Sequence, residues 1–295
     1  MPRAQVNGIE LEYDTFGTTD HPTLLMIMGL GSQMIAWDER LCRLLADEGF
    51  HVVRYDNRDA GLSTFLDTGP QPDLAAVLGG DGSSATYLVT DLAGDAAGLL
   101  DALGVERAHL VGASMGGMIA QQLVIDRPER VLSLCSIMSS PDYPRVGPPS
   151  EEAWAVMTRP RAEGREGAIE ANMATARAIG SPGYPREEQE LRAWVSRVHD
   201  RSSRIDGIGR QLAAVYASPD RTRALAQVAV PTLVIHGEDD ALVDISGGRA
   251  TAAAVPHAEL LTLPGVGHEL PEALWPRIVA AIAANARAGE ALRAG

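Results

Sequence analysis

The period of apolar positions changes several times along the chain. Ile9 to Tyr13 alternates, as a strand with one covered face does, whereas Thr23 to Met28 is continuously apolar, like a strand covered on both faces. His51 to Asp56 and Ala108 to Gly112 are further short runs, rich in branched residues and closed by Asp or Gly. Between them Leu88, Leu92, Ala96, Leu99, Leu100 and Leu103 recur at helical spacing, and Gly104 sits where a helix stops. The rhythm continues with a helix over Met115 to Asp126, ended by Arg127-Pro128, and a strand over Val131 to Met138. After a long gap come strands at Thr232 to Gly237 and Glu259 to Gly265, then an Ala-rich helix from Pro271. This reading predicts an α/β fold of eight strands, mostly parallel, joined by crossover helices.

The gap between Met138 and Thr232 breaks that rhythm, because its periodicity is helical and no apolar strand interrupts it. Leu191, Trp194, Val195 and Val198 share one helical face, and Ile205, Ile208, Leu212 and Val215 share another. The entrance, SSPDYPRVGPPS, is too rich in Pro, Ser and Gly for a helix or a sheet interior. The expected organisation is a core of residues 1–139 and 229–295, with a helical cap at 140–228 folded over the sheet's carboxyl edge.

Composition narrows the class of function. The 295 residues are 45% hydrophobic, enough to bury a large core, and the net charge of −14 lacks the basic face that binds a nucleic-acid backbone. All 25 basic residues are arginine, which excludes chemistry needing a lysine amine, such as a Schiff base. Cys42 and Cys135 lie in apolar segments without metal-ligand spacing and read as buried free thiols. No segment approaches the run of about 20 apolar residues that spans a membrane, and the N-terminus lacks a secretory pattern, so a cytoplasmic protein is expected.

The candidate chemistry begins at HLVGASMGGM, His109 to Met118. A strand that feeds a helix through Gly-x-Ser-x-Gly must turn sharply, which holds the serine in a strained conformation with its hydroxyl exposed. Gly112, Gly116 and Gly117 remove side chains that would collide there. A serine hydroxyl becomes a nucleophile only beside a base, and the base needs a third group to orient it. His268, in the Gly-rich loop PGVGHELP after the last strand, is the histidine placed for that role. His21, His51, His109, His199 and His257 read as structural, and His236 less firmly so. Of the acids after Gly237, Asp240 is best placed; Glu238 and Asp239 read as a solvated loop.

With the order Ser114, Asp240, His268, the chain resembles the serine α/β-hydrolases over nearly its whole length, and within them the small esterases related to aclacinomycin methylesterase. RYDNRDAGLST (Arg54 to Thr64), GASMGG, GEDDALV and LPGVGHELP carry the resemblance. It implies an oxyanion hole formed by the backbone amides of Met115 and Leu30, the latter in the loop MGLGSQ. Met28 stands where many relatives have histidine, and Asp244 lies where the family's usual proline is missing. The implied reaction is carboxylic ester hydrolysis through an acyl-enzyme, without cofactor or metal, on a small-molecule ester. A methyl ester of a bulky aromatic substrate would suit the candidate pocket residues Met28, Leu30, Met34, Trp37, Met138, Trp154, Met157 and Met173, since methionine adapts in shape; ordinary core packing is the competing reading for each. Asp56, Arg58 and Asp59 read as ties between a strand end and its loop. A cofactor-free haloperoxidase or perhydrolase, a carbon–carbon bond hydrolase and a non-catalytic receptor remain alternatives on the same scaffold. No nucleic-acid or membrane partner is expected, and self-association as a homodimer is left open.

Overall fold

The computed structural model describes residues 2–159 and 163–294. Its chain order is β1 (Arg3–Val6), β2 (Ile9–Phe16), β3 (Thr23–Ile27), α1 (Glu39–Asp47), β4 (His51–Tyr55), α2 (Leu74–Leu78), α3 (Val89–Ala102), β5 (Ala108–Ala113), α4 (Met115–Asp126) and β6 (Val131–Ile137). Then come α5 (Glu151–Met157), α6 (Gly164–Ile179), α7 (Glu188–Arg201), α8 (Ile208–Ala217) and α9 (Thr222–Leu225). The chain closes with β7 (Thr232–Gly237), α10 (Ser246–Ala254), β8 (Glu259–Leu263) and α11 (Trp275–Ala294).

The strands form one eight-stranded sheet in the order β1-β2-β4-β3-β5-β6-β7-β8. β2 pairs antiparallel with both β1 and β4; the other pairings are parallel. Every residue of β3 to β7 is buried, because helices cover both faces. The pleat sorts them by period two: Leu25, Ile27, Val53, Leu110 and Leu134 pack with α3 and α4, while Leu24, Met26, Val52, Val111 and Cys135 pack with α1 and α11. Both cysteines are buried free thiols, and burial pushes Cys42 up to about 12.

Most elements follow the apolar pattern. β1 is the strand that no named run marked, since four residues with two buried positions carry little periodic signal. α1 was also unmarked; its start is legible afterwards in Asp38, whose side chain accepts from the Arg40 amide. The C-terminal helix starts at Trp275 rather than Pro271, after a single 3₁₀ turn. Between β6 and β7 the described residues form five helices and no strand. The face expected for α8 holds in part: Val215 is buried in the core and Ile208 and Leu212 are half-buried, but Ile205 precedes the helix and is exposed, and Arg210, Gln211, Ala213 and Ala214 are buried as well. No helix among the described residues is long and apolar enough to cross a membrane.

Candidate active site

Strand order determines which loops can meet. The chain steps from β3 out to β4 and back across to β5, so β3 and β5 lie side by side, Ile27 opposite Gly112, and their carboxyl ends open a crevice at that reversal. From β5 the chain enters α4 through Ser114, which has φ 57° and ψ −123°, a region disfavoured for any residue with a Cβ. The geometry survives because its neighbours have no side chain. A Cβ on Gly112 would sit 2.1 Å from the Gly116 carbonyl oxygen, and one on Gly116 would sit 2.0 Å from that of Ile27. The Ser114 amide donates to Ile137 at 2.9 Å, tying the turn to β6.

After β3 the loop folds back over this turn, so close that a Cβ on Gly29 would stand 3.0 Å from that of Ser114. The Ser32 amide donates to the Gly29 carbonyl at 3.2 Å, with Gly31 at φ +67°, closing a turn that presents Leu30. Met115 is the first residue of α4, where helix amides lack internal partners. Among the described residues, neither the Leu30 amide nor the Met115 amide is spent in a hydrogen bond outside its own element.

Further along the same carboxyl edge, β7 and β8 deliver Asp240 and His268. The Asp240 carboxylate is fully buried: Oδ1 accepts from the amides of Leu242 and Val243, both at 2.9 Å, and Oδ2 lies 2.7 Å from His268 Nδ1. With the carboxylate accepting at Nδ1, the histidine keeps Nε2 available as a base. Ser114 makes no side-chain hydrogen bond among the described residues; contacts of this kind tighten when substrate or transition state is bound. Glu238 is exposed, but Asp239 is not an idle loop residue, because its Oδ2 accepts from the Gly265 amide at 3.0 Å and ties the acid loop to the histidine loop. His236 donates from Nε2 to the Val243 carbonyl at 2.8 Å, and burial keeps its imidazole below its ordinary value. Asp244 accepts from the Ser246 amide at 2.9 Å and shapes the turn into α10.

The candidate pocket residues separate into groups. Met28 and Leu30 are half-buried in the loop beside Ser114, and Met138 is buried at the end of β6 with φ 42°. Trp154 is half-buried, its ring 6.4 Å from that of Tyr216, which meets Tyr143 edge-on at 5.8 Å. Burial pushes the Tyr143 phenol up, with Tyr216 and, least, the Asp240 charge adding to the shift. Tyr143 and Tyr216 were missed in the sequence; the only signal was Tyr143 within the Pro-rich entrance. Trp37 belongs to the core between the sheet, α1 and α11, and Met173 to a separate core with Ile169, Leu191 and Val195. Met34 is wholly buried and Met157 is exposed. For Trp37 and Met173 core packing is therefore the observed role.

The segment Arg54 to Thr64 ties strand to loop, as expected, and reaches further. Asp56 accepts from the Met34 amide at 2.6 Å and from Arg201 at 2.7 Å; Asn57 donates to the Met28 carbonyl at 2.8 Å. Asp59 receives Arg210 in a fully buried two-pronged ion pair, and the Tyr87 hydroxyl at 2.8 Å. Arg58 pairs with Asp95. The partners Arg201, Arg210 and Gln211 carried no signal in the sequence, because helical periodicity marks apolar faces only.

Known proteins resemble the chain along most of its length. The profile of the alpha/beta hydrolase fold family matches residues 22–272. The chain is similar to rhodomycin D methylesterase DnrP of Streptomyces peucetius, 26% identical over 98% of this chain and 99% of that one. It is also similar to 3-oxoadipate enol-lactonase 2 of Acinetobacter baylyi, 25% identical over 86% of this chain and 85% of that one. Among solved structures, the enol-lactonase from Burkholderia xenovorans superposes with a TM-score of 0.74 at 22% identity, covering 96% of this chain and 99% of that one.

Proposed function

The chain belongs to the α/β-hydrolase fold family, and from that premise we propose that it is a serine esterase in which Ser114, His268 and Asp240 hydrolyse a carboxylic ester through an acyl-enzyme. The observation that carries this reading is the 2.7 Å contact between His268 Nδ1 and the buried Asp240 carboxylate, delivered to the sheet edge on which the strained Ser114 stands. His268 Nε2 takes the Ser114 proton as Oγ attacks the ester carbonyl, and the amides of Leu30 and Met115 stabilise the oxyanion. The tetrahedral intermediate collapses, the carbon–oxygen bond to the alcohol breaks, and His268 returns its proton to that alcohol. Water then attacks the acyl-enzyme with the same base and the same amides, releasing the acid and free Ser114. No metal or cofactor enters the balance.

The substrate proposed is a small-molecule ester with a bulky aromatic acyl part, a methyl ester in the first instance. Supporting it are the half-buried Met28, Leu30 and Trp154 and the aromatic pair Tyr143 and Tyr216, together with the similarity to rhodomycin D methylesterase. The helices of 140–228 are read as a cap that shapes this acyl pocket, and the two buried free thiols fit a reducing, cytoplasmic setting. Hydrolysis of an aryl acetate and of an aromatic methyl ester by wild type and by Ser114→Ala is the test. Both esters should be cleaved by wild type, and the variant should lose about 10⁴- to 10⁶-fold in kcat while remaining folded. Retained turnover in the variant, or activity that appears only with acetate and peroxide, contradicts the reading.

A further inference from the structure

Buried in α8, Gln211 makes two hydrogen bonds that the proposed chemistry has not used. Its Oε1 accepts from the Gly31 amide at 2.7 Å, and its Nε2 donates to the Arg58 carbonyl at 2.8 Å. Gly31 is the third residue of the turn that presents Leu30, so Gln211 holds the central peptide of that turn. α8 also lies directly against the turn, since a Cβ on Gly31 would come 3.1 Å from Ile208 Cγ1. A second grip lies two residues on. Gln33 Nε2 donates to the carbonyls of Val198 at 2.8 Å and Ser202 at 3.1 Å, at the end of α7, and its Oε1 accepts from Arg201 at 2.7 Å. The loop that carries one oxyanion donor is thus held from above by the helices between β6 and β7.

We propose that Gln211 is a positioning residue for the oxyanion hole, fixing the Gly29–Ser32 turn so that the Leu30 amide faces Ser114, and that seating of α8 is thereby coupled to catalysis. This rests on the esterase reading. The physical reason is that the central peptide of such a turn, from Leu30 to Gly31, can rotate between two arrangements; the Gln211 acceptor at the Gly31 amide favours one and so fixes the backbone of Leu30, whose amide lies on the preceding peptide. With the acceptor removed, a half-buried amide loses its side-chain partner and the turn relaxes away from the arrangement that aims Leu30. Ground-state binding of the acyl part depends on apolar contact and changes little, so the effect belongs to the transition state.

The test uses the full chain with Gln211→Met, which keeps the length without an acceptor, and Gln211→Glu, which keeps an acceptor for Gly31. Three quantities are read for each: kcat and KM on an aryl ester, the affinity of an aryl trifluoromethyl ketone that adds Ser114 Oγ to its carbonyl and forms an oxyanion, and the affinity of an aryl ether of the same shape without a carbonyl. Losing an oxyanion donor outright costs about 10²- to 10³-fold, so loosening one should cost Gln211→Met about 10- to 100-fold in kcat with KM within about 3-fold. The ketone should weaken by the same factor as kcat/KM, the ether should bind as to wild type, and Gln211→Glu should recover most of the ketone affinity. Unchanged ketone affinity in Gln211→Met overturns the proposal, as does equal weakening of ketone and ether. Should Gln211→Met fail to fold, loss of ketone but not ether affinity in Gln211→Leu supports the proposal, and equal loss of both overturns it. If wild type binds no ketone, or Ser114→Ala keeps its turnover, the esterase reading itself has failed.

Discussion

Asp240 and Asp239 stand side by side, and the structure gives their carboxylates different work. Asp240 is buried against His268 Nδ1, while Asp239 is exposed and receives the Gly265 amide. Asp240→Asn puts an amide where a carboxylate must accept, which can hold His268 in the wrong tautomer, and is expected to lower kcat by about 10⁴-fold. Asp239→Asn keeps an oxygen for Gly265 and should change kcat by less than about 10-fold, since it alters only a surface tie. Steady-state kinetics on the two variants checks this, and the reverse order of damage would reassign the acid. At this scale the candidate site is legible in the sequence because chemistry restricts residue types: a tight turn requires Gly112 and Gly116, and the search for a base in a Gly-rich loop singles out His268. What was illegible was reach. Nothing in the spacing of Arg201, Arg210 or Gln211 tells which loop they touch, and a methionine in a core, as Met173 is, looks along the chain like one that faces a ligand.

At the scale of elements, the carboxyl edge is held together by polar pairs between the sheet's loops and the helices between β6 and β7. Asp59, itself at φ 64°, meets Arg210 with both side chains fully buried, and Arg201 reaches Asp56. Breaking one partner of such a pair leaves the other charged and buried, which typically costs about 3–5 kcal/mol. Asp59→Asn should therefore lower unfolding stability by that amount, measured by urea denaturation, and a loss below about 1 kcal/mol would mean that the pair is dispensable. The sheet itself was the readable part, because β3 to β7 are buried on both faces and show as unbroken apolar runs. α8 is legible only in part for the opposite reason: beside Val215 its buried side carries Arg210 and Gln211, whose partners satisfy them only once the chain is folded.

For the whole molecule, charge and burial set the response to acid. Burial holds the imidazoles of His51, His109 and His236 below their ordinary value of 6.5. As pH falls below about 6.5 the unfolded chain takes up protons at these positions before the native state does, so stability must fall with pH there. Melting temperatures measured between pH 7.5 and pH 5.5 should decline through the lower half of that range, and a flat or rising profile would show that these rings are not held neutral. The central claim, that Ser114 is the nucleophile of a serine hydrolase, is tested most directly by an aryl fluorophosphonate followed by tryptic mass mapping. Residues 108–130 form one tryptic peptide, the Arg127–Pro128 bond resisting cleavage, and Ser114 is its only hydroxyl or thiol side chain. The account predicts one phosphonyl group on that peptide, appearing as ester hydrolysis disappears, and no label in Ser114→Ala. An unlabelled 108–130 peptide in enzyme that the reagent has inactivated would contradict it.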